Sequence, residues 1–478
     1  MIYLLTIFLP MLLAGYIYLF TRRIGGAKYI ALALFVALFI EAWLTYANLL
    51  PSGYTMLGSY LDVKRFDFVL TLQVDRFSVI MLLLVSVLLI FVTLTSWSVK
   101  HQSAYFSLLI FFAGPIFGLF MSTNLLWFFI FWELTLIPIY FLIGIWGDKQ
   151  RIFAAMKFFI YTHLASMLML LAFFLLYKQS TTFDMTQIKE GALTTPALIW
   201  WLLFIAFAIK MPLFPFHTWL PIAHVEAPAP VSSLLAGVLL KMGAYGMIRL
   251  VVLMLPDQAQ KYDYIILILG LATLFYAAFM ALYTTHIKKM VAYSSISHMG
   301  LVAIAISALS FSGLSSALFE MIGHALIISI LFVIAGIFHE KTGSWQMGDM
   351  GGIMQKAPYL ATLFVIGGLA ALGLPSTIGF IGELSVLISA IMAHGVWLAV
   401  IAAASLLSAG YFIWAFRRVI YGKQSKVVAL TNFAIHPVVF GALAIFAILV
   451  IVFGIFPQFL FSGIDRAFDT YHLLGGLA

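Results

Sequence analysis

The sequence contains no cysteine. Thiolate ligation of an iron–sulfur cluster is therefore excluded on this chain, and so is any disulfide. Redox chemistry linked to the chain falls to another polypeptide or to a haem. Charge is scarce as well: Asp, Glu, Lys and Arg make up 9% of the 478 residues, where a soluble globular protein carries roughly 25%. With 64% hydrophobic residues and a mean hydropathy of +1.13, the composition excludes a soluble domain and leaves a polytopic membrane protein. The N-terminus lacks the basic start and small-residue cleavage site of a secretory leader. The first apolar run is accordingly expected to be a first transmembrane helix, ending at Arg22, Arg23 and Lys28. The formal net charge of +8 is dispersed over many short connections instead of gathered on one exposed element, which excludes a nucleic-acid face.

What is present is a series of about fourteen apolar runs of spanning length, from 2–20 to 434–461. An even number puts both termini on one side. Alternate connections carry 15 and 8 of the 25 basic residues, with Lys210 and Lys241 left inside the membrane. The richer set includes Arg22, Arg23, Lys288, Lys289, Arg417 and Arg418, and the poorer one Lys64, Arg65 and Arg249. The positive-inside rule assigns the richer set to the cytoplasm and both termini to the outer side.

Two runs are interrupted. The seventh, 197–219, breaks at Met211, Pro212 and Pro215; the twelfth, 358–394, breaks around Pro375, Gly379 and Gly382. Five helices apart, they run in opposite directions, the hydropathy signature of an inverted-repeat transporter. The expected fold is an all-α polytopic membrane protein of about 14 transmembrane helices, with inverted five-helix repeats (helices 4–8 and 9–13) and discontinuous helices 7 and 12. The corresponding segments are 1–103, 104–255, 256–420 and 421–478.

Ionisable residues inside spans are rare, and each is a functional candidate. Glu133 lies in "FFIFWELTLIPIYF", Lys210 in "FAIKMPLFPFHTWLP", Lys241 in "AGVLLKMGAYGM" and Glu383 after the second break. His217, His224, His298 and His324 supply groups that titrate near neutrality. Pro212 and Pro215 donate no hydrogen bonds, so the carbonyls of Ala208 and Met211 lose their helical partners. A break therefore demands water or other donors, and Lys210 demands the same polar surroundings. At an effective dielectric of about 20 and roughly 7 Å, a carboxylate near such a lysine is worth about 2.4 kcal/mol. Moving a proton against roughly 150 mV costs about 3.5 kcal/mol, a matching scale.

The same residues have plainer readings. A buried Glu–Lys pair can serve only to hold helices together, and a lone membrane histidine can be a packing hydrogen-bonder. A bis-histidine haem would take ligands such as His298 and His324 from different helices, but the paired histidine spacing usual for haem carriers is missing. "HVE" at 224–226 has the H-x-E of zinc deaminases without their cysteines, so no metal site follows. Trp132, Trp146, Trp200 and Trp201 read as interfacial belt residues, and Glu226, Lys288 and Lys289 as residues of short cytoplasmic connections that are solvated or touch a neighbour.

Taken together, "FFIFWELTLIPIYFLIGIWG", "KFFIYTHLASMLML", "FAIKMPLFPFHTWLPIAHVEAPAPVSSLLAGVLLKMGAYGMIRL", "VAYSSISHMGL" and "GLPSTIGFIGEL" resemble the antiporter-like subunits of respiratory complex I, over roughly residues 104–420. Glutamate at 383, where most such subunits carry lysine, and "HVEAP" point to one branch of the family. The chain end at Ala478 leaves no room for the long lateral helix of some members. The resemblance implies proton translocation: Glu133 modulating Lys210, Lys241 relaying, His298 and His324 continuing the chain and Glu383 exchanging protons with the far side. Pro212, Pro215, His217 and Pro375 would support the breaks. Ile222 stands where some members carry an acid, which puts a cytoplasmic inlet at that position in question. It further implies no cofactor on this chain, with NADH, FMN, iron–sulfur clusters and quinone on partner subunits. The partners would be other membrane subunits of complex I, neighbouring antiporter-like subunits above all, together with the lipid bilayer and protons. A Mrp-type Na+/H+ antiporter subunit and the equivalent subunit of a membrane-bound hydrogenase share most of these motifs; Glu383 weighs against the first.

Overall fold

The computed structural model describes residues 2–20, 26–49, 55–57 and 69–472. Arg22, Arg23, Lys64 and Arg65 of the topology argument lie outside the described residues. Twelve helices among the described residues are long and apolar enough to cross a membrane. The seventh and twelfth expected runs are the interrupted ones. The chain divides into two compact units, residues 1–210 with 245–261, and residues 211–244 with 262–478.

The first unit opens with α1 (Ile2–Phe20) and α2 (Ala27–Tyr46), followed by a small antiparallel pair, β1 (Thr55–Leu57) and β2 (Leu70–Leu72), that hydropathy did not announce. Then come α3 (Arg76–Thr95), α4 (Gln102–Met121), α5 (Leu125–Trp146), α6 (Arg151–Ser180) and α7 (Pro196–Lys210). Side-chain caps fix two of the starts. Asp75 accepts the Ser78 N–H at 2.8 Å at the head of α3, and Asn124 accepts the Leu126 N–H at 3.0 Å at the head of α5. Asp75 also pairs with Arg249 at 2.5 Å, so a basic residue assigned from sequence to an outer connection is tied to a helix cap.

The second unit contains α8 (Leu220–Glu226), the interrupted helix α9 (Ala229–Val252) as far as Ala244, and α10 (Pro256–Tyr283) from Tyr262 onward. It continues with α11 (Ile287–Ser307), α12 (Phe311–Thr342), α13 (Pro358–Ala371), α14 (Ile378–His394), α15 (Val396–Ile420), α16 (Pro437–Ile455) and α17 (Gln458–His472). α11 and α12 form its interior: every residue of α11 except Lys289 is buried, charged and polar side chains included. α10 and α11 touch backbone to backbone, because a Cβ on Gly300 would lie 2.6 Å from the Leu274 nitrogen. The turns at 211–219 and 372–377 interrupt the seventh and twelfth runs at Met211, Pro212, Pro215 and Pro375, whereas Gly379 and Gly382, expected in the second break, lie within the first turns of α14.

Of the two expectations for Lys288, solvation or contact with a neighbour, the second holds: it is 1% exposed, and its Nζ donates to the carbonyls of Val225, at 3.0 Å, and Ala227. Those are carbonyls at the C-terminal end of α8, where a cation complements both the unpaired acceptors and the helix dipole. Periodicity could not place the ammonium there, since its four-carbon stem reaches across from another helix.

His286, outside the spans, caps α11: its Nδ1 accepts the Lys289 N–H at 3.2 Å. Burial first, then the charges of Lys288 and Lys289, lower its pKa from 6.5 to about 4. The folded value lies below the unfolded one, so the unfolded chain binds the proton first as pH falls. The contribution to stability is full above about pH 6.5 and is lost on the way down to about pH 4. The thermal midpoint of the detergent-solubilised protein should fall across that window. His286→Asn, which keeps a capping acceptor and cannot titrate, should flatten the fall; identical slopes for the two proteins would contradict this assignment.

Candidate proton-transfer site

In the first unit α5, α6 and α7 bring Glu133, His163 and Lys210 together. Lys210 is fully buried, and among the described residues its Nζ has no hydrogen-bond partner. It lies 5.3 Å from the centre of the Trp132 ring and 5.6 Å from that of Phe158. Aromatic faces attract a cation, by about 2 kcal/mol or more when water is excluded. Glu133 is the carboxylate whose charge acts on Lys210. Its Oε2 pairs with His163 Nδ1 at 2.9 Å, while Oε1 is buried without a partner. Glu133 is thus held by His163 and keeps one oxygen uncommitted.

The second unit assembles a longer array. In the turn after Lys210, the Phe214 N–H donates to Thr273 Oγ1 at 2.8 Å, and buried His217 packs against Tyr276 at 4.8 Å between rings. The turn at 211–219 is thus anchored on α10, with Pro212 buried and Pro215 exposed. His224 stacks on Phe332 at 4.8 Å. α9 widens into a π turn at Leu235–Leu239, a distortion often found at functional sites. Lys241 Nζ donates to the carbonyl of Ala236 within it at 2.7 Å and to His324 Nδ1 at 2.6 Å. The rings of His324 and His298 are 5.3 Å apart, and His298 Nδ1 lies 2.8 Å from Glu320 Oε1. A cavity of about 190 Å³ follows, lined by His298, Ser297, Glu383, Ser405 and Tyr411. That volume accommodates several waters, and its lining offers the polar partners they need. Glu383 accepts the Ser405 hydroxyl at 2.6 Å. Gly373, at φ +76° in the break that contains Pro375, makes room for this carboxylate: a Cβ there would lie 2.7 Å from Glu383 Oε2.

Residues 122–408 match the family described as NADH:quinone oxidoreductase/Mrp antiporter, transmembrane. The chain is 35% identical over 469 residues to the NADH-quinone oxidoreductase subunit M of Rickettsia prowazekii, covering 95% of each chain. The chain belongs to the NADH-quinone oxidoreductase subunit M family. A chain of respiratory complex I from Thermus thermophilus with bound NADH superposes with a TM-score of 0.87 at 25% identity, covering 99% of both. A chain of the Mrp complex from Dietzia sp. gives 0.89 at 18% identity, covering 100% of this chain and 99% of that one, a likeness of fold alone.

For a chain of the subunit M family, the expected set divides cleanly by unit. Glu133 and Lys210 share one cluster; Lys241, His324, His298 and Glu383 share the other. Two partners escaped sequence reading, His163 and Glu320. His163 stands inside the quoted "KFFIYTHLASMLML", and Glu320 precedes His324 by four residues, the spacing that puts two side chains on one helix face. Two of the tryptophans are corrected: Trp132 is 1% exposed and Trp200 is fully buried. Neither belongs to a belt. Trp132 faces the buried Lys210 and meets Phe207 edge to face at 5.6 Å, and Trp200 stacks on Phe204 at 4.9 Å, so each indole packs inside the first unit.

Lys288→Met tests the packing logic of this site. It leaves the carbonyls of Val225 and Ala227 without that donor, which should cost about 1–3 kcal/mol. The loss should appear as a lowered thermal midpoint of the purified protein in detergent. An unchanged midpoint would mean that Lys288 does not tie down the end of α8.

Proposed function

We propose that this chain is a proton-translocating membrane subunit of an NADH:quinone oxidoreductase. It would couple electron transfer in partner subunits to proton movement through buried Glu, Lys and His residues. The observation that carries this reading is the coincidence of subunit M family membership with an array of ionisable side chains buried in apolar helices. The chain would carry no redox centre of its own; NADH, FMN, iron–sulfur clusters and quinone would belong to partner subunits. It would lie in the cytoplasmic membrane beside other antiporter-like subunits, with both termini on the outer side. Residues 104–255 and 256–420 would be its two inverted repeats.

The chemistry follows from the contacts. Among the described residues Lys210 has no hydrogen-bond partner to anchor its proton, so its charge depends on the aromatic faces and on Glu133. A change in the Glu133–His163 pair alters the field at Lys210 by a few kcal/mol, enough to load or release one proton. Lys241 donates to His324 through a short hydrogen bond, a direct route for a proton from ammonium to imidazole. His298 and Glu383 both face the cavity, so one or two waters would complete the transfer toward the far side.

The fold shared with a Mrp complex chain keeps one alternative in view, a Na+/H+ antiporter subunit, and Glu383 in place of lysine argues against it. Sealed inside-out vesicles carrying Glu133→Ala, with assembly verified, separate the two. NADH oxidation and NADH-driven acidification should fall by about tenfold or more, with Na+/H+ exchange untouched. Unchanged NADH-linked signals with lost Na+/H+ exchange would make the chain an antiporter subunit instead.

A further inference from the structure

The array contains one carboxylate that the expected relay does not include. Glu320 sits in the middle of α12, 1% exposed, and charge at such a place is retained only when it is paired. Its Oε1 meets His298 Nδ1 at 2.8 Å. Its Oε2 points at the backbone of α14: a Cβ on Gly382 would lie 2.2 Å from that oxygen. Gly382 immediately precedes Glu383, so the carboxylate spans the gap between the histidine and the first turns of the interrupted helix. The His298 ring also reaches the carbonyl of Ala371, at the other edge of the same break. Glu320 and the Ala371 carbonyl thus lie at two edges of the His298 ring.

We propose that Glu320 is a proton-carrying residue of this relay, exchanging a proton with His298 and so setting the charge that Lys241 and Glu383 face. The inference rests on the proton-translocation reading above and adds a residue to it. In the transfer the Nδ1–H bond of His298 breaks and an O–H bond forms on Glu320 Oε1. An ion pair becomes a neutral pair without redox change, and the reverse step restores it. The titratable groups around the pair are His324 on α12 itself, Lys241 from α9 and Glu383 from α14. The charge of Glu320 acts on Lys241 and on Glu383, which do not contact each other directly. Neutralising it therefore informs both sides of the array that His298 has given up its proton. Lys241 then loses the carboxylate that favours its ammonium, and Glu383 loses a like charge.

The test uses the assembled complex in sealed vesicles, with Glu320→Gln, Glu320→Asp and, as a reference, Lys241→Ala. Glutamine keeps the volume and a hydrogen bond to His298 but cannot take up the proton. NADH-driven acidification should fall by about tenfold or more in Glu320→Gln, with assembly intact, and Glu320→Asp should restore most of it. Loss in Lys241→Ala together with wild-type pumping in Glu320→Gln would overturn this inference and leave the relay standing. Wild-type pumping in both would overturn the relay and this inference with it. Should Glu320→Gln fail to assemble, the NADH-induced infrared difference spectrum of Glu320→Asp decides. A displaced carboxyl C=O band relative to wild type supports a carboxylate that changes protonation during turnover, and superimposable spectra contradict it.

Discussion

An ammonium group in hydrocarbon must find compensation within reach of its own stem, and the structure solves this problem three times in different ways. Lys288 binds carbonyls at the end of a short helix. Lys241 divides its hydrogen bonds between a π-turn carbonyl and a histidine. Lys210 has only aromatic faces and the field of a nearby carboxylate. The three solutions form a gradient of commitment. Two backbone carbonyls fix a charge in place, a histidine offers it an exit, and a π face holds it without any site that would have to be broken. The least committed lysine stands beside the carboxylate with a free oxygen, the pairing on which the proposed change of charge in the first unit rests.

The helix breaks belong to the same argument. A continuous helix satisfies its own carbonyls and leaves no space beside them; an interrupted one opens both. At the second break the positive φ of Gly373 turns the chain, and the missing side chain admits the carboxylate of Glu383. Gly382 does the same for Glu320 on the other side of the turn. Two glycines thus let two carboxylates approach one short stretch of backbone, with His298 within reach of both the Glu320 carboxylate and the cavity. Hydroxyls of Ser297, Ser405, Ser408 and Tyr411 join the two ionisable groups in a wall otherwise formed by leucine, isoleucine, alanine and phenylalanine side chains.

Much of this was legible in the sequence because hydrocarbon makes charge and proline conspicuous. The interrupted spans, Glu133, Lys210, Lys241 and Glu383 stand out against apolar neighbours; the structure hydrogen-bonds Glu133, Lys241 and Glu383 to polar partners and puts Lys210 among aromatic rings. What the sequence concealed were partnerships. Nothing in "LFEMIGHALII" tells that Glu320 reaches His298 on another helix, because pairing across helices depends on their rotation and not on local pattern. The acceptors of Lys288 were hidden for a related reason: hydropathy locates an α carbon near a span end, whereas a long stem decides where the charge sits. Trp132 and Trp200 show the limit of the belt rule, which describes tryptophans facing lipid and not those inside a bundle.

The central claim is that buried charge in this chain moves protons and does more than hold helices together. The most direct measurement is the number of protons delivered per NADH oxidised in sealed inside-out vesicles bearing Lys210→Met, with the complex verified as assembled. The account predicts that acidification collapses by about tenfold or more, with NADH oxidation slowed alongside it, because the lysine that carries charge next to Glu133 is gone. Acidification at the wild-type rate and ratio would contradict it, and would reduce Lys210 and its aromatic cage to packing.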